Sequence, residues 1–501
     1  MTTKSVAIKR YDIVVVGGGI AGIAIAELLT RKTSWKILVL DQAEKLGEGA
    51  SGKLEGWFHT GALYSGSEDA QTFLNCINAV EDLINLYSSH FGDRCNFGLK
   101  EHTPAVFVPS VRPQEEGWFG DQPVFYLLPS DGSPDIKISK LRSETVLWRM
   151  QRERALARLD GVFGGRHNWL VAGRCSAPVP DWIEKCEETT GSLLESNEVL
   201  EGFCQSHDRT FGVEPSRYDI VRSCDVQMDP VRIMRDLVAS ALTNGVEFET
   251  GASVEAFGMN SGQTGRLESV RYRNRHGRFI HATAHLFIFA VGAGFEQLSR
   301  LVTIRPRVSV HKSYMVIAHP ALTNINFARM SPKARFHFNH LRMDGTGTSG
   351  LMEYSILADS GYAGGAADSS EFTGGTDLLL HSAQSYFGAD FLYARQLHAY
   401  ECLKTEFIGQ TDDERRYSYW IDLDEALGCL SVLPGKFSFF PTVALQTYMK
   451  VRQQMERFGS HERSPSSKAS RIEPSDKIKA AATELVADHY PYRLLSSVGK
   501  P

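Results

Sequence analysis

Gly17, Gly19 and Gly22, followed about twenty residues later by the acid Asp41, are residue types that can hold a diphosphate and a ribose. Glycine at the first position permits a tight turn, and at the second it lets backbone approach a pyrophosphate. At the third it lets a helix pack closely on a strand. Ile20 and Ala21 then open a helix whose free N–H groups and positive dipole end suit anionic phosphates. Asp41, with Gln42 beside it, is placed to accept a hydrogen bond from a ribose hydroxyl. This set binds a dinucleotide and leaves the reaction to residues elsewhere.

Those residues need elements to position them, and the flanking sequence provides them. The apolar run Ile13–Val16 reads as a strand entering the turn, and Ile23–Arg31 as the helix leaving it. Trp35–Leu40 reads as a second strand ending on Asp41. Strand, glycine turn, helix, strand and acid make a complete dinucleotide-binding unit, compatible at this level with NAD or FAD.

The chain has 501 residues, enough for two or three lobes, with 42% hydrophobic and 23% charged residues and a formal net charge of −5. No dense Lys/Arg block points to nucleic acid. Ile13 to Leu29 approaches membrane-span length but carries the glycine turn and Glu27, so no transmembrane segment is expected. Nor does it read as a signal peptide. The eight cysteines are scattered without a CxxC pair, which reads as reduced thiols in a cytosolic protein with no metal site.

Beyond the opening unit, Gly49–Tyr64 is a glycine- and serine-bearing loop carrying His59, and Ser67 is expected to cap a helix from Glu68 to about His90. Residues 96 to 217 are irregular, with strand-like Ala105–Val108 and Val124–Leu128 and a helical Arg142–Leu159. Asp229-Pro230 opens an amphipathic helix, followed by strand Val246–Glu249 and Gly251–Val254. A hairpin around His276-Gly277 leads to strand Leu286–Ala290 and the second glycine segment, Gly292-Ala293-Gly294. Leu430–Leu433, the turn Pro434-Gly435-Lys436 and a helix from Val443 to Phe458 close the regular part. His461–Pro501, rich in Ser, Lys and Glu, is expected to be mobile apart from a helix over Ser475–His489.

Four of these motifs, in this order, resemble the FAD-dependent oxidoreductases of the D-amino-acid oxidase superfamily, nearest the branches of L-2-hydroxyglutarate and glycerol-3-phosphate dehydrogenases. They are the opening unit, the Ser51-Gly52…Phe58-His59-Thr60-Gly61 loop, the Asp-Pro helix with the strand into Gly292, and Pro434–Ser438, similar to the family's Gly-Gly-Lys-x-Thr turn. The resemblance implies an α/β fold, with a Rossmann-like FAD-binding domain assembled from discontinuous segments plus a mixed β-sheet substrate lobe. Its FAD-binding segments would be 1–95, 218–301 and 429–458. The substrate lobe would be 96–217 and 302–428, with a polar C-terminal tail at 459–501. The implied cofactor contacts are Gly17, Gly19, Ile20, Ala21, Gly22, Asp41, Gln42, Ala50, Ser51, Gly52, the Val254 backbone at the adenine, Gly292, Gly294, and the turn Gly435, Lys436, Phe437, Ser438 near the isoalloxazine.

The implied reaction delivers a hydride to flavin N5 from a CH–OH or CH–NH group of a small polar, anionic substrate. Electrons would pass on to oxygen, a quinone or a carrier protein. His59 is the candidate base, since a neutral imidazole suits proton removal near pH 7. A point of covalent flavin attachment and a purely structural loop histidine remain open for it. His311, Lys312 and Ser313 lie where the family strand crosses toward the site, with Arg305 and Arg307 beside them. Arg335, His337, His340 and Arg415–Tyr417 are weaker anchors. Glu55 and Gly56 stand where the glycerol-3-phosphate branch is basic, which argues against a phosphate there. A flavin monooxygenase and a non-catalytic FAD-binding interaction subunit are the competing readings. Cytoplasmic placement is expected, with any membrane contact peripheral.

Overall fold

The structure is a computed structural model and describes residues 8–59, 70–95, 117–129, 218–260, 265–304, 308–323, 326–329, 338–347, 350–359, 375–407, 419–457 and 473–498. In chain order, the first elements are β1 (Ile8–Arg10), β2 (Ile13–Val16), α1 (Ile20–Lys32), β3 (Ile37–Leu40), β4 (Trp57–Phe58), α2 (Ala70–Leu83), β5 (Phe119–Pro129) and β6 (Tyr218–Met228). Then come α3 (Pro230–Thr243), β7 (Glu247–Glu249), β8 (Ser253–Met259), β9 (Leu267–Arg273), β10 (Phe279–Thr283), β11 (Leu286–Phe289) and α4 (Phe295–Ser299). Next are β12 (Val308–His319), β13 (Asn326–Arg329), β14 (Phe338–Gly347), β15 (Gly350–Asp359), α5 (Gly375–Phe387), α6 (Ala389–Tyr393) and β16 (Gln396–Phe407). The last are β17 (Trp420–Asp424), β18 (Cys429–Leu433), α7 (Phe440–Arg457), α8 (Asp476–Leu485) and α9 (Tyr490–Val498).

The chain divides into two compact units. The first takes Met1–Lys53, Pro230–His311 and Leu403–Tyr490. At its centre is a six-stranded sheet of order β17-β18-β11-β2-β3-β7, parallel except at β17. Strands β2, β3, β11 and β18 are buried at every residue, because a parallel sheet is covered on both faces. One cover is helical: α1 packs with α3 and α7. Within it, the buried Glu27 carboxylate takes Arg31 Nε at 2.6 Å and Ser240 Oγ of α3 at 2.8 Å. The other cover is a four-stranded sheet, β1-β10-β9-β8, whose Val270, Tyr272 and Ala282 share one core with Phe287 and Phe289.

The second unit takes Leu54–Asp229, Lys312–Cys402 and Pro491–Pro501. An eight-stranded sheet of order β16-β12-β15-β14-β13-β5-β6-β4 builds it, with β13 and β5 parallel and the other described pairings antiparallel. Tyr87, Phe91 and Trp118 form an aromatic cluster beside it, with ring centroids 4.9 to 5.9 Å apart.

The structure differs from the sequence reading in two elements. The helix expected to reach His90 does so, but it is not regular throughout: α-helix over Ala70–Leu83 widens into a π-turn at Ile84–Ser88, which keeps Tyr87 buried in its cluster, and resumes over Ser89–Phe91. The C-terminal segment is packed rather than mobile over 473–498, and it holds two helices where one was expected. Ala482, Val486, Ala487 and Leu495 are buried, and these few apolar anchors outweigh the polar composition around them. Thr60–Tyr64, Ser67, Ala105–Val108, Arg142–Leu159, Arg305, Arg307, Arg335, His337 and Arg415–Tyr417 lie outside the described residues.

Candidate functional site

All the candidate FAD contacts fall in the first unit, most of them after the C-terminal ends of β2, β3, β11 and β18, with Val254 at the start of β8. Gly17 has φ +114°, and a Cβ there would run into the carbonyl oxygen of Ala290 at the end of β11. A Cβ on Gly22 would collide with the Gly17 carbonyl. The turn therefore closes only with hydrogen at both positions. Helix α1 begins with no acid in its first turn and no side-chain cap from Gly19; the Ile20 N–H donates to Ser51 Oγ at 3.0 Å. Such a helix start is a ready anion site.

Asp41 is fixed at both oxygens. Gly18 N–H donates to Oδ2 at 2.5 Å and Ala43 N–H to Oδ1 at 2.7 Å, leaving further lone pairs for hydroxyl donors. Burial raises its pKa, against the opposing pull of those two backbone N–H groups. Ala252 N–H donates to the Asp41 carbonyl and Gly251 N–H to that of Ala43, at 2.7 and 2.6 Å, which stitches the approach to half-buried Val254 onto the acid. Gly47 N–H reaches the Gly18 carbonyl at 2.9 Å, holding the 47–52 loop with its Ala50–Gly52 turn against the glycines. Gln42 follows Asp41 and is exposed.

Leu46 is gripped in turn by the C-terminal segment. Its N–H donates to the Leu485 carbonyl at 2.9 Å, and its carbonyl accepts from Ala487 at 3.0 Å. The Leu46 side chain lies where a Cβ on Gly18 would point. Composition alone gave no hint of this strap.

The second and third glycine segments complete the cradle. Ala290 N–H donates to the Val16 carbonyl at 2.8 Å, so Gly292 (φ +51°) and Gly294 follow directly from the strand beside the first turn. At the third, Gly435 has φ +67° and Lys436 spends its N–H on the Pro434 carbonyl at 2.7 Å. That leaves the N–H groups of Phe437 and Ser438, at the start of a short 3-10 turn, to face a ligand. Ser438 is 1% exposed and its Oγ has no hydrogen-bond partner. A buried hydroxyl of this kind calls for a partner outside the chain. Glycines that a Cβ would obstruct, a helix start without an acid in its first turn, an acid fixed at both oxygens and an orphaned hydroxyl together fit FAD.

The second unit holds His59. Its Nδ1 lies 3.3 Å from Asp225 Oδ2, which also accepts from Trp57 Nε1 at 3.1 Å. Asp225 is fully buried, and the His59 ring, 12% exposed, stacks on Trp57 with centroids 4.5 Å apart. The pairing of β4 with β6 brings these three together, with Trp57 opposite Gln227 and Phe58 opposite Val226. With Asp225 as a carboxylate, which only accepts, the bond is made by the neutral tautomer that carries its hydrogen on Nδ1 and has Nε2 as the basic nitrogen. Sequence reasoning missed Asp225. The only available signal was an acid inside a strand-like segment, with its partner 166 residues away.

The other candidates are placed differently. His311 Nε2 is 3.6 Å from Glu406, and Lys312 Nζ is 3.0 Å from Glu401. Glu401 raises the Lys312 pKa through its hydrogen bond and charge, which makes this ammonium unsuited to take a proton. Ser313 points inward, its Oγ buried and unpartnered. His340 is a core histidine, bonded to Ser355 Oγ at 2.7 Å and stacked on Phe327. Among the described residues, Cys76, Cys95, Cys402 and Cys429 are buried and unbridged, and burial pushes the Cys429 thiol up to about 12.

Compared with known proteins, residues 12–421 match the family described as FAD dependent oxidoreductase. A curated relative, the mitochondrial L-2-hydroxyglutarate dehydrogenase of Caenorhabditis elegans, is 40% identical over 114 residues, 22% of this chain and 24% of that protein. The chain thus aligns with about a quarter of that relative's length. Glycine oxidase from Geobacillus kaustophilus superposes with a TM-score of 0.52 at 15% identity, covering 93% of this chain and 99% of that one. The glycerol-3-phosphate dehydrogenase of Bacillus halodurans, solved with FAD, gives 0.50 at 12% identity, covering 92% and 67%. At these identities the structures speak for the fold. No described helix is long and apolar enough to cross a membrane.

Proposed function

This chain belongs to the FAD-dependent oxidoreductase family, and from that premise we propose that it oxidises the CH–OH group of a small anionic 2-hydroxy acid, with His59 taking the hydroxyl proton. FAD supplies the hydride acceptor, its N5. Gly17, Gly19, Ile20, Ala21, Gly22, Ala50, Ser51 and Gly52 hold the pyrophosphate. Asp41 and Gln42 take the ribose, Val254 the adenine, and Gly292, Gly294 and Gly435–Ser438 the flavin half.

The observation that carries the reading is the His59–Asp225 pair. A proton acceptor needs a defined lone pair, and Asp225 defines it by taking Nδ1–H. It also supports the imidazolium that forms after transfer. An alcohol favours this arrangement over an amine, because an amine can arrive already neutral while an alcohol holds its proton until the hydride leaves. The relative in Caenorhabditis elegans, named for a 2-hydroxy acid, supports the same choice. Lys312 is the candidate carboxylate clamp, and His311 a polar neighbour of it. The electrons leave to oxygen, a quinone or a carrier protein.

The test is anaerobic bleaching of the flavin by a panel of L-2-hydroxy acids, amino acids and polyol phosphates. Hydroxy acids, L-2-hydroxyglutarate first, are expected to bleach it, and His59→Gln is expected to slow bleaching by about 10²–10⁴-fold. Bleaching by amino acids alone, or an unslowed His59→Gln, overturns the proposal. So does flavin that stays with the acid-precipitated protein through His59.

A further inference from the structure

The outer sheet of the first unit has a use that the oxidation does not explain. One face of β1-β10-β9-β8 is sealed in the core by Val270, Tyr272 and Ala282. By the two-residue alternation of strands, Arg271, Arg273 and Phe279 point the other way. Ile8 pairs with His281, Arg10 with Thr283, Phe279 with Arg273 and His281 with Arg271, so all of them share one face. Arg275 and Arg278, in the turn between β9 and β10, are exposed at its rim.

The charge on this face runs against the whole chain, which carries −5. Five exposed arginines meet two glutamates on these strands: Glu255, bound to Arg273 at 2.9 Å, and Glu268. Glu247 and Glu249 are taken by Lys9, on the opposite alternation of β1. Among the arginines stand two bare apolar side chains, Ile8 at 60% and Phe279 at 51% exposure. The Phe279 ring is held under the guanidinium groups of Arg273 and Arg271, 5.3 and 5.6 Å from its centre.

We propose that this face docks the enzyme onto an anionic bilayer surface, with the arginines on lipid phosphates and Phe279 and Ile8 at the headgroup–acyl boundary. Arginine binds phosphate bidentately, and an aromatic ring flanked by cations suits the interfacial layer. A folded protein partner would call for a recessed apolar centre in which an anchor is buried. Here the apolar side chains stand singly on a sheet surface, which a fluid headgroup layer accommodates without shape matching. The inference is independent of the substrate reading.

The experiment is co-sedimentation of the FAD-loaded full chain with vesicles of phosphatidylcholine alone or with phosphatidylglycerol, at low and high salt. Binding is expected only to the anionic vesicles and is lost at high salt. Arg271→Gln/Arg273→Gln is expected to weaken it about 25-fold, at about fivefold per arginine. Phe279→Ser should weaken it roughly three- to tenfold. Flavin absorbance and thermal melting of the variants are expected to match wild type, which separates lost docking from lost folding. Equal binding to both vesicle types, or wild-type binding by the double variant, overturns the proposal. So does binding of polyglutamate without binding of anionic vesicles, which would mark an acidic protein partner. Self-association that the double variant abolishes, without vesicle binding, would mark a second copy and also overturn it.

Discussion

Asp225→Asn isolates the charge behind His59 with almost no change of shape. The asparagine oxygen can still accept from Trp57 Nε1 and His59 Nδ1, so the ring should stay in place while the full negative charge is lost. Two charge-assisted bonds become neutral ones, a loss of about 1–1.5 kcal/mol each. Removing a fully buried charge repays part of that, so the melting temperature should move little. Proton transfer is affected more. With the ring nitrogen 3.3 Å from the carboxylate, and about 4 Å between charge centres, an effective dielectric near 20 gives at most about 4 kcal/mol of lost support for the imidazolium. Screening at a partly exposed ring lowers this to about 1.5 kcal/mol at the other extreme. Flavin reduction should therefore slow by about ten- to a thousandfold, measured by anaerobic rapid mixing with the hydroxy acid that bleaches wild type. The same substitution in His59→Gln should add almost nothing, because the carboxylate acts through the ring. If the two losses multiply instead, or if Asp225→Asn reduces its flavin at the wild-type rate, the reasoning fails.

Gly22→Ala should cost flavin even though alanine favours a helix by about 1 kcal/mol, because its Cβ meets the Gly17 carbonyl and overpacking costs about 1–3 kcal/mol. A flavin-to-protein ratio equal to wild type, with a raised melting temperature, would contradict this. Asp41 accepts more strongly from a ribose when ionised, and burial raises its pKa, so FAD affinity should begin to fall on acidification above the ordinary aspartate range of about 3.9. Affinity is full above that raised pKa and weakened below it. FAD binding therefore takes up the ionised form and releases a proton in the window, and Asp41→Asn should flatten the profile followed by flavin fluorescence. Ending the chain after residue 472 removes two hydrogen bonds to Leu46, about 1–3 kcal/mol. FAD should then dissociate at least tenfold more readily by equilibrium dialysis, and unchanged affinity would show that the strap is dispensable.

Where physics is local, the sequence is readable. The glycine turn, α1 and Asp41 follow from steric demands within about thirty residues, and the structure builds them as expected. Pro230 opens α3 because its missing N–H is spare at a first helical position. Long-range pairing leaves no such mark. Asp225 looks like any strand acid until β4 is laid beside β6. Likewise, the anchors Val486 and Ala487 are hidden among the Ser, Lys and Glu that suggested a mobile tail. Lys312 shows a third limit: sequence gives a cation near a crossing strand, while its salt-bridge partner Glu401 lies on another strand.

The strand order of the six-stranded sheet also bears on how the protein is made. β2 finds its neighbour β11 only after 270 further residues, and β18 and the Leu46 strap come later still. At roughly 5–20 residues per second, a ribosome needs about 25 to 95 s to go from the end of β2 to Ala487. Until β11 emerges, β2 has no parallel partner on one side and the nucleotide turn lacks the wall that Ala290 supplies; the Leu46 strap is missing until the end of that interval. The cradle for the cofactor is therefore complete only after the last of these segments has been made. Flavin supply should govern yield at the moment of release rather than during synthesis.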